Sequence, residues 1–248
     1  PMRSQSRAPT NAVVFQHAAV EHPGVFTDFF REDAVALTIV ELDEGEPIPE
    51  LAPFDLMVVM GGPQDVWQED QHEWLRSEKE AIKRFVVEMR RPYLGICLGH
   101  QLLADALGGR VGLAEPPEIG VLTVSKSAAG KADPAMAGVP DPLPVLQWHS
   151  AAVLELPPGA TILAESEVCP VQAFRYGDHA YGMQFHVEVI AQTVTDWAAI
   201  PEYAQALEKA LGANAVVQLD EVVASALPRF NRNARILYDG LKATWAHV

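Results

Sequence analysis

The chain has 248 residues and a formal net charge of −15, from 33 acidic and 18 basic residues. So acidic a chain is a poor partner for nucleic-acid phosphates or an anionic membrane surface. Hydrophobic residues make up 49% of the sequence and charged residues 21%, which is typical of a globular protein with a buried core.

The first half of the chain alternates short apolar runs with helical patterns. Strands are predicted at 12–16, 36–42, 56–60 and 93–96, with helices at 24–31, 73–90 and 102–107. This alternation predicts an α/β fold of three layers, in which a mainly parallel central sheet lies between helices.

From residue 110 onward the pattern changes to short strands, predicted at 121–125, 144–148, 161–164, 171–176 and 180–185. The segment 126–143 is expected to be a loop with a helical turn near 134–137. Helices are predicted at 190–199, 201–211 and from about 219 to 247, and Pro228 should break or kink the last one. We therefore expect a loose tail at 1–10, one domain at 11–190, and a helical extension at 191–248 packed on that domain.

A cysteine lies between a predicted strand and a predicted helix, in the sequence Gly95-Ile96-Cys97-Leu98-Gly99. Glycine two residues to either side leaves room for the sharp strand-to-helix turn called a nucleophile elbow. A helix N-terminus also places partial positive charge beside the sulfur, which favours the reactive thiolate. The pattern predicts that Cys97 is a nucleophile, whereas Cys169 is expected to be a small buried apolar residue.

A second segment, 181–188, carries a histidine and a carboxylate. It is expected to be a strand, on which His186 and Glu188 point to the same side. The imidazole would then act as a base for Cys97, and the carboxylate would orient the imidazole, as in a catalytic triad.

A third segment, Gly61-Gly62-Pro63, directly follows the predicted strand 56–60. Its free N–H groups, together with the N–H of Leu98, would bind the oxyanion of a tetrahedral intermediate. In a parallel sheet, ligands bind beyond the carboxyl ends of the strands. The Gly-Gly turn and Cys97 both follow such ends, so the sequence predicts one shared cleft.

These segments, in this order, resemble the class I glutamine amidotransferases, which use a Cys-His-Glu triad. The resemblance rests on Gly-Gly-Pro at 61–63, Gly-Ile-Cys-Leu-Gly-His-Gln at 95–101, Trp-His-Ser at 148–150 and Phe-His-Val-Glu at 185–188. Segments 118–120 and 169–175 are most similar to the free-standing group that resembles the amidotransferase domain of GMP synthase. The resemblance implies the flavodoxin-like fold of this family. One departure is Val187, where the family commonly has proline.

By this resemblance Cys97, His186 and Glu188 are the triad, and Gly62 and Leu98 supply the oxyanion N–H groups. The positions that would bind the glutamyl substrate are Gly61, Gln101, Ser150 and Ala151. The implied reaction cleaves the side-chain amide of glutamine through a thioester on Cys97, giving glutamate and ammonia. It needs no metal or organic cofactor.

Family members usually pass ammonia to a synthase, and only about sixty residues follow Glu188. We therefore expect either a separate synthase subunit or a protein that acts alone. Acting alone would suit a second reaction, hydrolysis or transfer of another γ-glutamyl amide or peptide. A third hypothesis is a non-catalytic regulatory protein on the same scaffold, since a fold does not guarantee a function.

The other histidines give no metal-ligand spacing, so a zinc site at His100 or His149 is not expected. Two further positions, His17 and His179, are expected in loops or on the surface, as are His22 and His72. Trp74 is expected in the core.

The cysteine usage and the absence of a transmembrane pattern suggest a location. A reactive thiol without a disulfide framework favours a reducing compartment. Residues 1–10 lack the apolar segment of a secretory signal, and no apolar run is long enough to span a bilayer. We expect a cytoplasmic protein with a small-molecule substrate and no nucleic-acid or membrane partner. Its oligomeric state is open, and a homo-oligomer is one alternative.

Overall fold

The computed structural model describes residues 8–246. Most of the predicted tail at 1–10 therefore lies outside the described residues, although Thr10 is fixed by its N–H, which donates to the Asp55 carboxylate at 3.0 Å. The strands are β1 (Asn11–Gln16), β2 (Ala36–Glu41), β3 (Leu56–Val59), β4 (Tyr93–Ile96), β5 (Arg110–Lys126), β6 (Leu143–Glu155), β7 (Ala160–Glu165), β8 (Ala173–Tyr176) and β9 (Ala180–Met183). The α-helices are α1 (Phe26–Glu32), α2 (Trp74–Lys83), α3 (Leu98–Ala106), α4 (Ala128–Ala132), α5 (Thr193–Ala198), α6 (Pro201–Leu211) and α7 (Ala215–Trp245).

The strands within residues 8–246 form one sheet in the order β2-β1-β3-β4-β9-β8-β7-β5-β6. Pairing is parallel from β2 to β9 and antiparallel from β9 to β6. The prediction of a mainly parallel sheet is therefore wrong, because half of the strand pairs are antiparallel. The reason is local: β7, β8 and β9 follow one another through short turns, which can join only antiparallel strands.

Helices cover both faces of the parallel half of the sheet. Val14 and Val58 pack in one core cluster with residues of α1 and α7, whereas Val13 and Met57 pack in another with residues of α2 and α3. Successive side chains of a strand point to opposite faces, so a strand buried on both sides reads as a continuous apolar run. That is why these strands were recognisable in the sequence.

The antiparallel strands β5 and β6 are much longer than predicted. Their pairing runs from Arg110 to Val124 and changes register between Leu113 and Glu118. Pro116 and Pro117 fall in this irregular stretch, where they have no N–H to donate to the ladder. Because the prolines interrupt the strand pattern in the sequence, β5 was not predicted as one long strand.

The last helix, α7, continues through Pro228 as one element. Of the two predicted outcomes, the break is wrong and the kink stays a prediction. A proline inside a helix removes one hydrogen bond and crowds the preceding turn. Packing compensates, because α7 buries a long apolar stripe that includes Phe230, Leu237 and Tyr238. The predicted helical turn near 134–137 is present, since the N–H of Ala137 donates to the carbonyl of Asp133 at 2.8 Å. The prediction of a loop at 126–143 missed α4, where the Ser127 hydroxyl accepts from the N–H of Gly130 at 3.0 Å.

Among the described residues, no single helix is both long enough and apolar enough to cross a membrane. Only α6 and α7 taken together would meet those criteria, and the two helices meet at 90°.

Candidate active site

Cys97 lies at the strand-to-helix turn between β4 and α3, with φ of 53° and ψ of −106°. A positive φ at a residue with a side chain is strained and is typical of a functional turn. The flanking glycines are required here: a Cβ on Gly95 would collide with the carbonyl of Gly99, and one on Gly99 with the carbonyl of Val59. The sequence around Cys97 therefore specifies the elbow that was predicted.

His186 and Glu188 meet beside this turn, with 2.6 Å between Nδ1 of the histidine and Oε1 of the glutamate. Both side chains are almost fully buried. Burial alone would lower the pKa of His186, but the Glu188 carboxylate and the thiol of Cys97 raise it well above its ordinary value. The structure thus brings the three predicted triad residues together.

The segment that carries His186 differs from the prediction. β9 ends at Met183, so His186 and Glu188 do not lie on a strand and strand alternation does not align them. Instead His186 forms an isolated antiparallel bridge with Leu146, through two backbone hydrogen bonds of 2.9 Å. This bridge to β6 holds the imidazole at the edge of the sheet.

Glu188 is fixed from two sides. Its Oε2 accepts from the N–H of Val187 at 3.0 Å, a bond that the proline common in the family could not make because proline has no N–H. Its backbone carbonyl accepts from the N–H of Val25 at 2.8 Å. Gly24, with φ of 56°, lies so close to this carbonyl that a Cβ would collide with it. The loop after β1 therefore packs directly on the carboxylate residue.

The Gly61–Gly62 turn passes next to the elbow. A Cβ added to Gly61 would lie 3.5 Å from Cβ of Cys97, and one added to Gly62 would lie 3.1 Å from Cδ2 of Leu98. The residues predicted to bind an oxyanion are therefore neighbours of the cysteine.

A cavity of about 220 Å³ opens onto Cys97. Its lining includes five of the predicted residues, Gly62, Leu98, Gln101, Ser150 and Ala151, whereas Gly61 lies behind it. Other described residues also line the cavity, and they were not predicted as substrate contacts. They are Pro63, Gln64, Asp65, Gln68, Trp148, His149, Glu202, Tyr203 and Ala206. These include two carboxylates but no lysine or arginine. The cavity is smaller than most drug-binding pockets, which start at about 300 Å³, and suits a ligand the size of an amino acid.

Gln101 was predicted only to contact the substrate, but in the structure its side chain forms two hydrogen bonds within the protein. Its Nε2 donates to the carbonyl of Ala151 and to Oε1 of Gln184, each at 3.0 Å. Nε2 of Gln184 in turn lies 3.5 Å from Sγ of Cys97. Gln101 thus connects the wall of the cavity, through Gln184, to Cys97. Gln184 was not predicted from the sequence as a neighbour of this sulfur.

The helical C-terminal region covers the histidine. The indole of Trp197 stands edge-on to the His186 ring, with 4.6 Å between the ring centroids, and donates to the carbonyl of Val20 at 3.1 Å. The hydroxyl of Tyr203 donates to Oε2 of Glu21 at 2.7 Å. Nothing in the sequence pattern indicated that these residues from α5 and α6 would reach the site.

Glu21 is a buried carboxyl group near the triad, and its Oε1 has no hydrogen-bond partner among the described residues. Burial raises the pKa of Glu21 to about 7, although the bond from Tyr203 and the charge of His186 oppose the rise. A Cβ on Gly61 would collide with this Oε1, which explains the need for glycine there.

Three groups of metal-ligand type converge under the cavity wall: Glu118, His149 and Cys169. The Glu118 carboxylate already accepts from Nε2 of His149 at 2.9 Å and from Gln172 at 2.6 Å, while burial raises the pKa of the Cys169 thiol to about 12. Nδ1 of His149 faces the carbonyl of Ala151 at 2.7 Å, so this network supports the wall of the cavity.

Two of the histidines expected in loops or on the surface lie in loops but are buried. His17 directly follows β1 and His179 directly precedes β9, as the loop prediction requires, yet the two residues are only 1% and 3% exposed. Each has a buried partner that replaces water: Nδ1 of His17 contacts the carbonyl of Gly61 at 3.0 Å, and Nε2 of His179 contacts that of Val86 at 2.9 Å.

Comparison with known proteins agrees with this geometry. The profile of the family described as glutamine amidotransferase class-I matches residues 25–196. The chain belongs to the class I glutamine amidotransferases. As the sequence motifs predicted, it is similar to one subunit of the glutamine-hydrolyzing GMP synthase of Sulfolobus acidocaldarius, at 35% identity over 62% of this chain and 78% of that protein.

Two other similarities are informative. Gamma-glutamyl peptidase 3 of Arabidopsis thaliana is 31% identical over 66% of this chain and 67% of its own length. The crystal structure of a glutamine amidotransferase from Thermotoga maritima superimposes with a TM-score of 0.82, at 31% identity, over 94% of this chain and 98% of that one.

Proposed function

We propose that this protein is a glutamine amidotransferase-type amidohydrolase that releases ammonia from the side chain of glutamine. The observation that carries the proposal is the convergence of His186 and Glu188 on Cys97, which itself lines an amino-acid-sized cavity. These three side chains would carry out the reaction without a metal or an organic cofactor.

In the proposed reaction the Cys97 thiolate attacks the γ-carbonyl carbon of glutamine, forming a carbon–sulfur bond. The N–H groups of Gly62 and Leu98 stabilise the oxyanion. The carbon–nitrogen bond then breaks as Nε2 of His186 gives its proton to the leaving ammonia. A water molecule, deprotonated by His186, next attacks the thioester, which releases glutamate and restores the thiol. Glu188 keeps the imidazole oriented and stabilises its charged form.

The charges of the cavity support an amino acid as substrate. Asp65 and Glu202 are carboxylates on its lining, and they would attract the α-ammonium group of glutamine. Ser150 and the neighbouring backbone are left to bind the α-carboxylate. An opposite charge close by is the simplest means of selecting the α-amino end of a ligand.

A second candidate is hydrolysis of other γ-glutamyl amides or peptides, which the similarity to gamma-glutamyl peptidase 3 supports. The leaving group would be an amine instead of ammonia, and the triad would act in the same way.

The fate of the ammonia is a further part of the proposal. The similarity to one subunit of a glutamine-hydrolyzing GMP synthase supports a separate synthase chain as the acceptor. Turnover of glutamine by the isolated protein, and its stimulation by a co-purifying synthase chain, would distinguish an independent hydrolase from one half of a complex.

The deciding experiment compares glutamine, γ-glutamyl amides and γ-glutamyl dipeptides as substrates of the purified protein, with release of glutamate as the measurement. We expect glutamine to be hydrolysed fastest, Cys97→Ala to be inactive, and Cys169→Ala to retain activity as the matched cysteine control. Unchanged turnover by Cys97→Ala would reject the mechanism. Preference for a dipeptide would establish the second candidate, and failure of the wild type on every γ-glutamyl compound would favour a non-catalytic protein.

A further inference from the structure

A second buried histidine–glutamate pair lies behind the Gly61–Gly62 turn. Nε2 of His17 is 2.7 Å from Oε1 of Glu78, and both side chains are completely buried. Nδ1 of the same ring is 3.0 Å from the carbonyl oxygen of Gly61. The pair has no contact with the triad and no part in the mechanism described above.

Both nitrogens of His17 face acceptors, a carboxylate and a backbone carbonyl. With Glu78 ionised, a hydrogen bond at each position requires a proton on each nitrogen, which makes the ring an imidazolium. Burial alone would lower the pKa of His17, but the Glu78 carboxylate and the Gly61 carbonyl outweigh it and raise that pKa. The Gly61 carbonyl therefore accepts from a charged donor, and such bonds are shorter and stronger than neutral ones.

The Gly61 carbonyl and the Gly62 N–H belong to the same peptide group. The bond is not among the cis peptides of the described chain, and in a trans peptide the two groups point in opposite directions. With its carbonyl held by His17, the peptide must direct the N–H of Gly62 away from His17. His17 is not among the residues that line the cavity, whereas Gly62, Cys97 and Leu98 all line it, so an N–H of Gly62 that points away from His17 is available to that cavity.

A peptide between two glycines needs such a restraint. Without side chains it turns easily, and a half-turn would replace the N–H by a carbonyl that repels an oxyanion. The surroundings also fix the His17 ring, which is the donor to this peptide. A Cβ on Gly62 would lie 2.6 Å from Cβ of His17. Trp74 stacks on the imidazole ring, with 5.3 Å between the ring centroids. Trp74 and Glu78 are four residues apart on α2, so one face of this helix positions the imidazolium.

We propose that the His17–Glu78 pair is a positioning device that holds the Gly61–Gly62 peptide so that the N–H of Gly62 faces the oxyanion formed on Cys97. The inference rests on the proposed function. His17 acts through the peptide and does not touch the substrate.

Two reactions of Cys97 separate this role from a general structural one. Hydrolysis of glutamine passes through an oxyanion, whereas alkylation by iodoacetamide displaces iodide and forms none. For His17→Leu we expect kcat for glutamine to fall about a hundred-fold with little change in KM, as when an oxyanion donor is lost. The alkylation rate of Cys97 should stay near that of the wild type.

Two matched variants complete the test. His17→Asn places an amide nitrogen where Nδ1 was, and we expect it to restore most of the lost kcat. His179→Leu removes another buried histidine that contacts a backbone carbonyl, at the opposite end of β9, and we expect wild-type kcat. Crystal structures of the wild type and His17→Leu would show the peptide turned only in the variant.

Three results would overturn the proposal: wild-type kcat in His17→Leu, a parallel fall of hydrolysis and alkylation, or an unmoved peptide in the variant crystal. If the wild type hydrolyses no γ-glutamyl compound, the proposed function fails by itself. The orientation of the Gly61–Gly62 peptide in the two crystals still decides whether His17 holds it.

Discussion

The N–H of Val187 donates to Oε2 of Glu188 at 3.0 Å, while Oε1 of the same carboxylate contacts His186. The carboxylate therefore has a partner on each oxygen, in a place where water has almost no access. A residue adjacent in sequence supplies one of the two partners.

Replacement of Val187 by proline should weaken both the fold and the reaction. Proline removes the N–H and leaves a buried carboxylate oxygen without a donor, which costs about 1.5–3 kcal/mol of unfolding free energy. We also expect a lower kcat, because Glu188 is then free to leave His186. Denaturant unfolding and glutamine hydrolysis measure the two effects. Val187→Ala keeps the N–H, so equal stability of the two variants would show that the bond contributes nothing.

The strained backbone of Cys97 predicts an order of stabilities among its variants. Alanine keeps the Cβ that makes a φ of 53° unfavourable, whereas glycine does not. We expect Cys97→Gly to be more stable than Cys97→Ala by about 1 kcal/mol, with both inactive. Thermal and urea unfolding test this expectation. A less stable glycine variant would mean that the elbow stores no strain.

The buried carboxyl of Glu21 predicts a pH dependence of stability. Its pKa rises from an ordinary 4.5 to about 7 in the folded protein, so the folded state binds this proton more tightly than the unfolded state does. Stability must then decrease as the pH rises through this window. Relative to Glu21→Gln, the wild type should lose about 3 kcal/mol between pH 4.5 and pH 7.

The difference in stability between the wild type and Glu21→Gln reports the titration of Glu21 alone, because all other titrating groups are present in both proteins. In Tyr203→Phe the carboxylate loses the hydrogen bond that opposes the shift, so the decrease should extend to higher pH. A constant difference between the wild type and Glu21→Gln across the range would show that Glu21 is ionised in the folded state.

Pro228 interrupts the hydrogen bonds of α7 without ending the helix. Pro228→Ala should therefore increase the unfolding free energy by about 1–2 kcal/mol, part of the usual 3 kcal/mol penalty for an internal proline. Pro201 begins α6, where proline is tolerated, so Pro201→Ala is the control with little effect. A decrease in melting temperature for Pro228→Ala would indicate that the helix needs the shape that proline imposes.

The elbow was predictable because its sequence pattern is local. Cys97 and its flanking glycines lie within five residues. The steric reason for Gly95 operates within the same turn, whereas Gly99 is required by the carbonyl of Val59 on β3. The pairing of His186 with Glu188 was also predicted, but from a strand that ends earlier. Outside that strand, His186 is held by a backbone bridge to β6, a contact that no periodicity in the segment reveals.

The contacts behind the site were not predictable in the same way. His17 and Glu78 are 61 residues apart, and a histidine in a loop gives no sign of such a partner. One signal was present: Glu78 falls among the buried positions of α2, with Leu75 and Ile82. A charged residue in an apolar stripe must find a partner when it is buried. The antiparallel half of the sheet was misjudged for a similar reason, since the pairing of β5 with β6 is decided between distant segments.

The match to the family profile stops at residue 196, one position before the indole that shelters the His186 ring. A shortened chain with that endpoint would keep every atom that makes or breaks a bond, yet its imidazole would be hydrated. In the reaction proposed above, ammonia would then leave beside a hydrated imidazole instead of under the indole. The segment that shelters His186 thus begins where the match to the family profile ends.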